Sequence, residues 1–65
     1  MNTYTIEIRN SNNELMATMT TGNTIIAYDL WRRAVKTMEA INGHGHLSWD
    51  DTGEIIEDYG YNDEV

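Results

Sequence analysis

The sequence contains no cysteine and no proline, and only four of its 65 residues are basic. Without cysteine the chain forms no disulfide and offers no thiolate ligand to a metal ion. No apolar stretch approaches the ~20 residues of a membrane span, and the N-terminus "MNTYTIEIRN" lacks the features of a signal peptide. We therefore expect a cytoplasmic protein that does not bind membranes.

A chain of this length predicts a single domain over residues 1–65, close to the lower size limit for folding alone. Hydrophobic residues make up 40% of the sequence, which indicates a folded chain despite the net charge of −7. Because disulfides are excluded, compact packing, a second copy or another partner must supply any further stability.

Residues 3–20 have the pattern of a β-hairpin. "TYTIEIR" alternates apolar and polar residues, "NSNN" is rich in turn formers, and "ELMATMTT" alternates again. The predicted apolar face consists of Tyr4, Ile6, Ile8, Leu15, Ala17 and Met19.

Residues 24–41 have the period of an amphipathic helix, which Asn23 or Thr24 is suited to cap. Asp29 and Arg33, four residues apart, predict a surface ion pair. "NG" follows the helix and places Gly43 in the predicted left-handed position. The apolar stripe consists of Ala27, Leu30, Trp31, Ala34, Met38 and Ile41.

Residues 44–60 predict a second hairpin, in which Leu47 and Trp49 alternate, "DDTG" forms the turn and "EIIEDY" forms the return strand. The element order is then ββαββ. This order predicts an α+β domain with an antiparallel sheet of two hairpins packed on one helix. Residues 61–65 are expected to be frayed.

Acidic residues are concentrated in the second half of the chain. Three acids and four bases precede residue 37, whereas eight acids and no base follow it. A second hairpin would bring Asp50, Asp51 and Glu54 together at its tip and place Glu57 and Asp58 along one strand.

The acidic segment admits two interpretations: a surface that maintains solubility, or a face that binds a basic partner. We favour the binding face, because like charges without bases weaken a small domain by mutual repulsion. A pI near 4.4 disfavours direct contact with nucleic acid, so the expected partner is a basic surface of a protein or nucleoprotein complex. The predicted contact residues are Trp49, Asp50, Asp51, Glu54, Glu57, Asp58 and Tyr61, although Trp49 also fits the core.

The small size, acidity, absent cysteine and sheet-plus-helix order resemble the small phage-encoded inhibitors of bacterial defence, such as anti-CRISPR proteins. The resemblance is one of class, without a shared motif. It implies an inhibitor that acts by occlusion in the cytoplasm of the host cell. Eight carboxylates match the charge of roughly 14 Å of duplex DNA, or about four base pairs, so they suit the blocking of a local site.

Catalysis and cofactor binding are not expected. His44 and His46 precede Asp50 and Asp51 in "HGHLSWDD", the one cluster with metal-ligand residue types, but a site would need more ligands. We favour a glycine-rich loop with solvated imidazoles. Ser48 lacks an acid to complete a triad with His46, so we predict no enzyme, no metal and no cofactor.

A homodimer is the alternative function, because dimerisation through a sheet edge or the helix would supply burial that a 65-residue core lacks. Arg32, Arg33 and Lys36 form the basic cluster of the sequence. We expect them to form a solvated helix face. The alternative is that they pair with the acids of the second hairpin, in the same copy or in another.

Overall fold

The computed structural model describes residues 3–60, so the predicted frayed tail 61–65 and Tyr61 lie outside the described residues. The elements follow the order ββαββ, and the α+β class is confirmed. The elements are β1 (Tyr4–Arg9), β2 (Leu15–Thr21), α1 (Thr24–Ile41), β3 (His44–Trp49) and β4 (Ile55–Tyr59).

The strands form one antiparallel sheet with the order β2-β1-β3-β4. In each hairpin the first strand is central and the second is an edge: β1 and β3 are the central strands, and β2 and β4 are the edge strands. The two hairpins are joined by the β1–β3 ladder, in which Tyr4 lies opposite Trp49 and Arg9 lies opposite His44. The acidic strand β4 consequently lies at one edge, three strand positions from β2.

Helix α1 packs on one face of the sheet and encloses the core against β1, β2 and β3. The apolar alternation of β1 is confirmed, since its first, third and fifth residues are buried. Ala17 and Met19 of β2 pack against the core as predicted. The buried hydrophobic residues are Tyr4, Ile6, Ile8, Ala27, Trp31, Ala34, Met38 and Leu47.

Two residues of the predicted apolar faces are exposed rather than buried. Leu15 is 51% exposed, and Ile41, at the last turn of α1, is 38% exposed. A β-bulge explains Leu15: Ile8 pairs with Ala17 but Arg9 pairs with Leu15, so Met16 is an extra residue that interrupts the alternation.

Both helix ends are capped by asparagine. The Asn23 side chain accepts a hydrogen bond from the Ile26 backbone N–H at 3.0 Å, which selects Asn23 over Thr24 as the N-cap. At the other end Asn42 has the left-handed conformation, with φ of 57°. The prediction that Gly43 takes this position is wrong, because asparagine also tolerates left-handed backbone. The Gly43 N–H instead donates to the Met38 carbonyl at 2.7 Å.

Candidate functional site

The turn at residues 50–54 forms the tip of the second hairpin, as predicted. The Gly53 N–H donates to the Trp49 carbonyl at 2.8 Å, and the Trp49 N–H donates to the Glu54 carbonyl at 2.9 Å. Gly53 has φ of 77°, a left-handed conformation that glycine adopts without steric cost. These bonds close a tight turn, which we call the acidic tip after its carboxylates Asp50, Asp51 and Glu54.

Asp50 fixes the base of the acidic tip to the start of β1. Its backbone N–H donates to the Thr3 carbonyl at 2.7 Å. The Thr5 hydroxyl donates to Oδ1 of Asp50 at 2.9 Å. Because its carboxylate is already engaged, Asp50 has a structural role as well as a charge. Asp51 and Glu54 are the more available acids of the tip.

The remaining two predicted acids lie on β4 and are both exposed. Glu57 is paired with Leu47 and Asp58 with His46 in the β3–β4 ladder. Since successive strand residues point to opposite faces of a sheet, the side chains of Glu57 and Asp58 lie on opposite faces of β4. The structure therefore brings three predicted acids together at the tip and distributes the other two along the edge.

The arginines have acidic partners in the first half of the chain. Arg9 pairs with Glu7, and both Arg32 and Arg33 lie 3.2 Å from carboxylate oxygens of Asp29. The predicted Asp29–Arg33 pair is confirmed. Within residues 3–60, no arginine or lysine forms an ion pair with the acids of the second hairpin. The negative charge of this hairpin therefore lacks an arginine or lysine counterion in the described part of the chain.

Trp49 lies at the base of the acidic tip and is half-buried. Its ring centroid is 4.6 Å from that of Tyr4, whose own hydroxyl lies 2.8 Å from the Thr24 hydroxyl. These contacts support Trp49 as a packed residue at the margin of the core. Trp49 also lines a shallow concavity of about 230 Å³ together with Asp51, Thr52 and Glu54. The ring thus contributes an apolar wall beside two exposed acids.

His44 and His46 lie in β3, so the interpretation of "NGHGH" as a loop with solvated imidazoles is wrong. Both are half-buried. Nε2 of His46 lies 3.2 Å from Oε1 of Glu7, and Nε2 of His44 lies 2.8 Å from Oδ1 of Asn13. The described residues 3–60 contain no group of three or more histidine and acidic side chains that could hold a metal ion.

A polar cluster on the sheet face opposite the helix was not predicted. Glu7 contacts both Arg9 and His46, and Asp58 is the ladder partner of His46. The alternation of β1 places Glu7 and Arg9 on one face, and the alternation of β3 does the same for its histidines. The local sequence pattern does not specify the β1–β3 register, which brings these residues together.

No known protein family, characterised protein or solved structure matches this chain. In the part of the chain that the structure describes, no helix combines the length and the apolar content needed to cross a membrane.

Proposed function

We propose that this chain is a small acidic binding protein that inhibits a nucleic-acid-handling complex by covering a basic surface of that complex. A CRISPR effector complex belongs to this class of target. One observation carries the proposal: the second hairpin presents exposed carboxylates on a fixed turn, and no arginine or lysine of residues 3–60 pairs with them.

The distribution of counterions favours a partner over solubility alone. Asp29 has two arginine partners on its own helix, whereas no arginine or lysine of residues 3–60 pairs with Asp51 or Glu54. Adjacent like charges destabilise a compact state by repulsion. A lysine- or arginine-lined groove would remove this repulsion and replace it with attraction across the interface.

The tip also has the rigidity that binding requires. Its backbone bonds to Trp49 and the contacts of Asp50 with β1 fix its position before any partner arrives. A preorganised loop loses less conformational entropy on binding than a flexible one. The exposed part of the Trp49 ring adds an apolar contact, and tryptophan is favoured at the centre of interfaces.

The geometry fits local occlusion. Same-face residues of a strand are roughly 6.6 Å apart, whereas duplex DNA carries a charge every ~1.7 Å of its axis. The carboxylates of β4 are therefore sparser than phosphates, and Glu57 and Asp58 point to opposite faces. The tip and edge suit insertion into a short basic groove, where they would compete with nucleic acid for the same lysines and arginines.

The test compares two double charge reversals with equal net charge. Asp51→Lys with Glu54→Lys changes the acidic tip and leaves the structural contacts of Asp50 in place. Glu14→Lys with Glu39→Lys makes the same change at exposed positions in the first hairpin and in the helix. The wild-type protein and both variants are immobilised and incubated with bacterial lysate at low and high salt, and retained complexes are identified by mass spectrometry. Each retained complex is then loaded with fluorescent nucleic acid.

We expect the wild type and the Glu14/Glu39 variant to retain a nucleic-acid-handling complex at low salt and to displace its nucleic acid. High salt should release the complex, since exposed charges are screened over ~8–10 Å in ordinary buffer. The Asp51/Glu54 variant should neither bind nor displace. Equal displacement by both variants, or no retained nucleic-acid-handling complex, would contradict the proposal.

A further inference from the structure

We propose that strand β2 is an interface for a second copy of this chain, formed by antiparallel pairing of β2 with β2 of the other copy. The result is a continuous eight-stranded sheet with one helix per copy. This interface is independent of the acidic tip and lies at the opposite edge of the sheet.

The composition of β2 is unusual for an edge strand. Its seven residues, "LMATMTT", include no charge and no proline. Natural edge strands are normally protected by charged residues or proline, because their free backbone groups pair readily with other strands. The other edge has such protection, since β4 carries Glu57 and Asp58. The chain therefore protects one edge with charge, whereas β2 has a bulge at Met16, near its first residue, and no charged residue.

The exposed side chains of β2 are suited to pairing with themselves. Leu15 and Met16 are 51% and 56% exposed, and Thr18 and Thr20 are exposed as well. The register centred on Thr18 spans all seven residues and leaves the bulge at Met16 near each end of the new pairing, away from its centre. It places Thr18 opposite Thr18, Ala17 opposite Met19, Met16 opposite Thr20 and Leu15 opposite Thr21. These pairs contain no charged residue, and β-branched threonine favours strand pairing.

The position of the acids explains how a chain with a net charge of −7 could self-associate. Strands in a sheet are ~4.8 Å apart, so β4 lies roughly 14 Å from β2 in the same copy. In the paired sheet the two β4 strands are seven positions apart, or roughly 34 Å. This separation is several times the ~8 Å screening length at physiological ionic strength. Electrostatic repulsion between the β4 strands of the two copies is therefore small in this arrangement.

Sedimentation equilibrium over roughly 10 µM to 1 mM, the range of weak interfaces, tests the inference. The variant Thr18→Lys places a charge at the centre of the edge, where it would face its own copy. Thr37→Lys makes the same substitution at an exposed helix position and is the control. Far-UV circular dichroism verifies that both variants fold. We expect concentration-dependent dimers for the wild type and for Thr37→Lys, and a monomer for Thr18→Lys.

A second measurement uses the absence of cysteine in the wild-type chain. Cα atoms of facing antiparallel residues are about 4.5–5.5 Å apart, within the range that a disulfide bridges. Under mild oxidation Thr18→Cys should form a covalent dimer at least tenfold faster than Thr37→Cys. A monomeric wild type at all concentrations, or equal cross-linking of the two cysteine variants, would overturn the inference.

Discussion

Gly45 lies so close to Met38 that a methyl group added at Gly45 would be 2.8 Å from the sulfur of Met38. The same methyl group would collide with the backbone carbonyl oxygen of Glu7 in the neighbouring strand. Met38 is fully buried on the helix face that packs against the sheet. The absence of a side chain at Gly45 is therefore what allows the last turns of α1 to approach β3.

Gly45→Ala should lower the free energy of unfolding by about 1–3 kcal/mol, the usual range for overpacking a well-filled core. The backbone of β1 cannot move away without disturbing its pairing with β2. Urea unfolding followed by circular dichroism measures the change. An unchanged unfolding midpoint would contradict the close approach of the Glu7 carbonyl and the Met38 sulfur to Gly45.

Met38→Ala should destabilise the protein by about 2–5 kcal/mol, because it removes a fully buried side chain and leaves a cavity. Ile25→Ala is the control, since Ile25 is 81% exposed and lies outside β2, so truncation to alanine there should cost less than about 0.5 kcal/mol. Thermal unfolding of both variants gives the comparison. Similar melting temperatures for the two variants would contradict the assignment of Met38 to the core.

Asn23→Ala should cost about 1 kcal/mol, because it removes the side-chain oxygen that accepts from the Ile26 N–H. Asn23→Asp keeps that acceptor and should retain wild-type stability. Chemical denaturation of the pair separates the cap from other effects of substitution at this position. Equal losses for alanine and aspartate would exclude a capping role.

Replacing the acids of the tip should stabilise the fold. Asp51→Asn with Glu54→Gln removes two like charges that no arginine or lysine of residues 3–60 pairs with, and we expect a gain of up to about 1 kcal/mol and a raised melting temperature at low salt. The gain should shrink as salt increases, since salt screens the repulsion in the wild type as well.

Asp29→Asn is the corresponding control at a paired acid. It removes the partner of Arg32 and Arg33, so it should lower stability slightly, by less than about 1 kcal/mol for these exposed pairs. Calorimetry measures the change in unfolding free energy for both variants, and we expect the two changes to have opposite signs. A destabilised Asp51/Glu54 variant would indicate that these carboxylates make contacts within the fold.

Local pattern was sufficient to predict the elements of this fold. The alternation of β1 and the helical period after Asn23 each depend on near neighbours in the chain, and both are borne out. The turn of the second hairpin follows from "DDTG" in the same way. For the candidate site, the tip position of Asp50, Asp51 and Glu54 was predictable because a turn fixes its own residues.

The remaining features depend on tertiary context. The bulge at Met16 inserts one residue without any turn signal, so alternation alone places Leu15 on the wrong face. At the end of the helix both Asn42 and Gly43 tolerate left-handed backbone; Asn42 adopts it, and a side chain at Gly43 would collide with the Arg9 carbonyl of β1. The contact between Glu7 and His46 spans 39 positions of sequence and requires the β1–β3 register, which local pattern does not specify.

The edge position of β4 has a consequence for the dynamics of the molecule. Among the described strands, β4 has one ladder neighbour, β3, and it contributes Ile56 and Tyr59 to the margin of the core. Amide hydrogens protected by one ladder exchange with solvent through local opening that leaves the rest of the sheet intact. The amides of β4 should therefore exchange earlier than those of β1 and β3. Strand β4 is then the part of the acidic segment whose exchange rates report most directly on a partner that holds it.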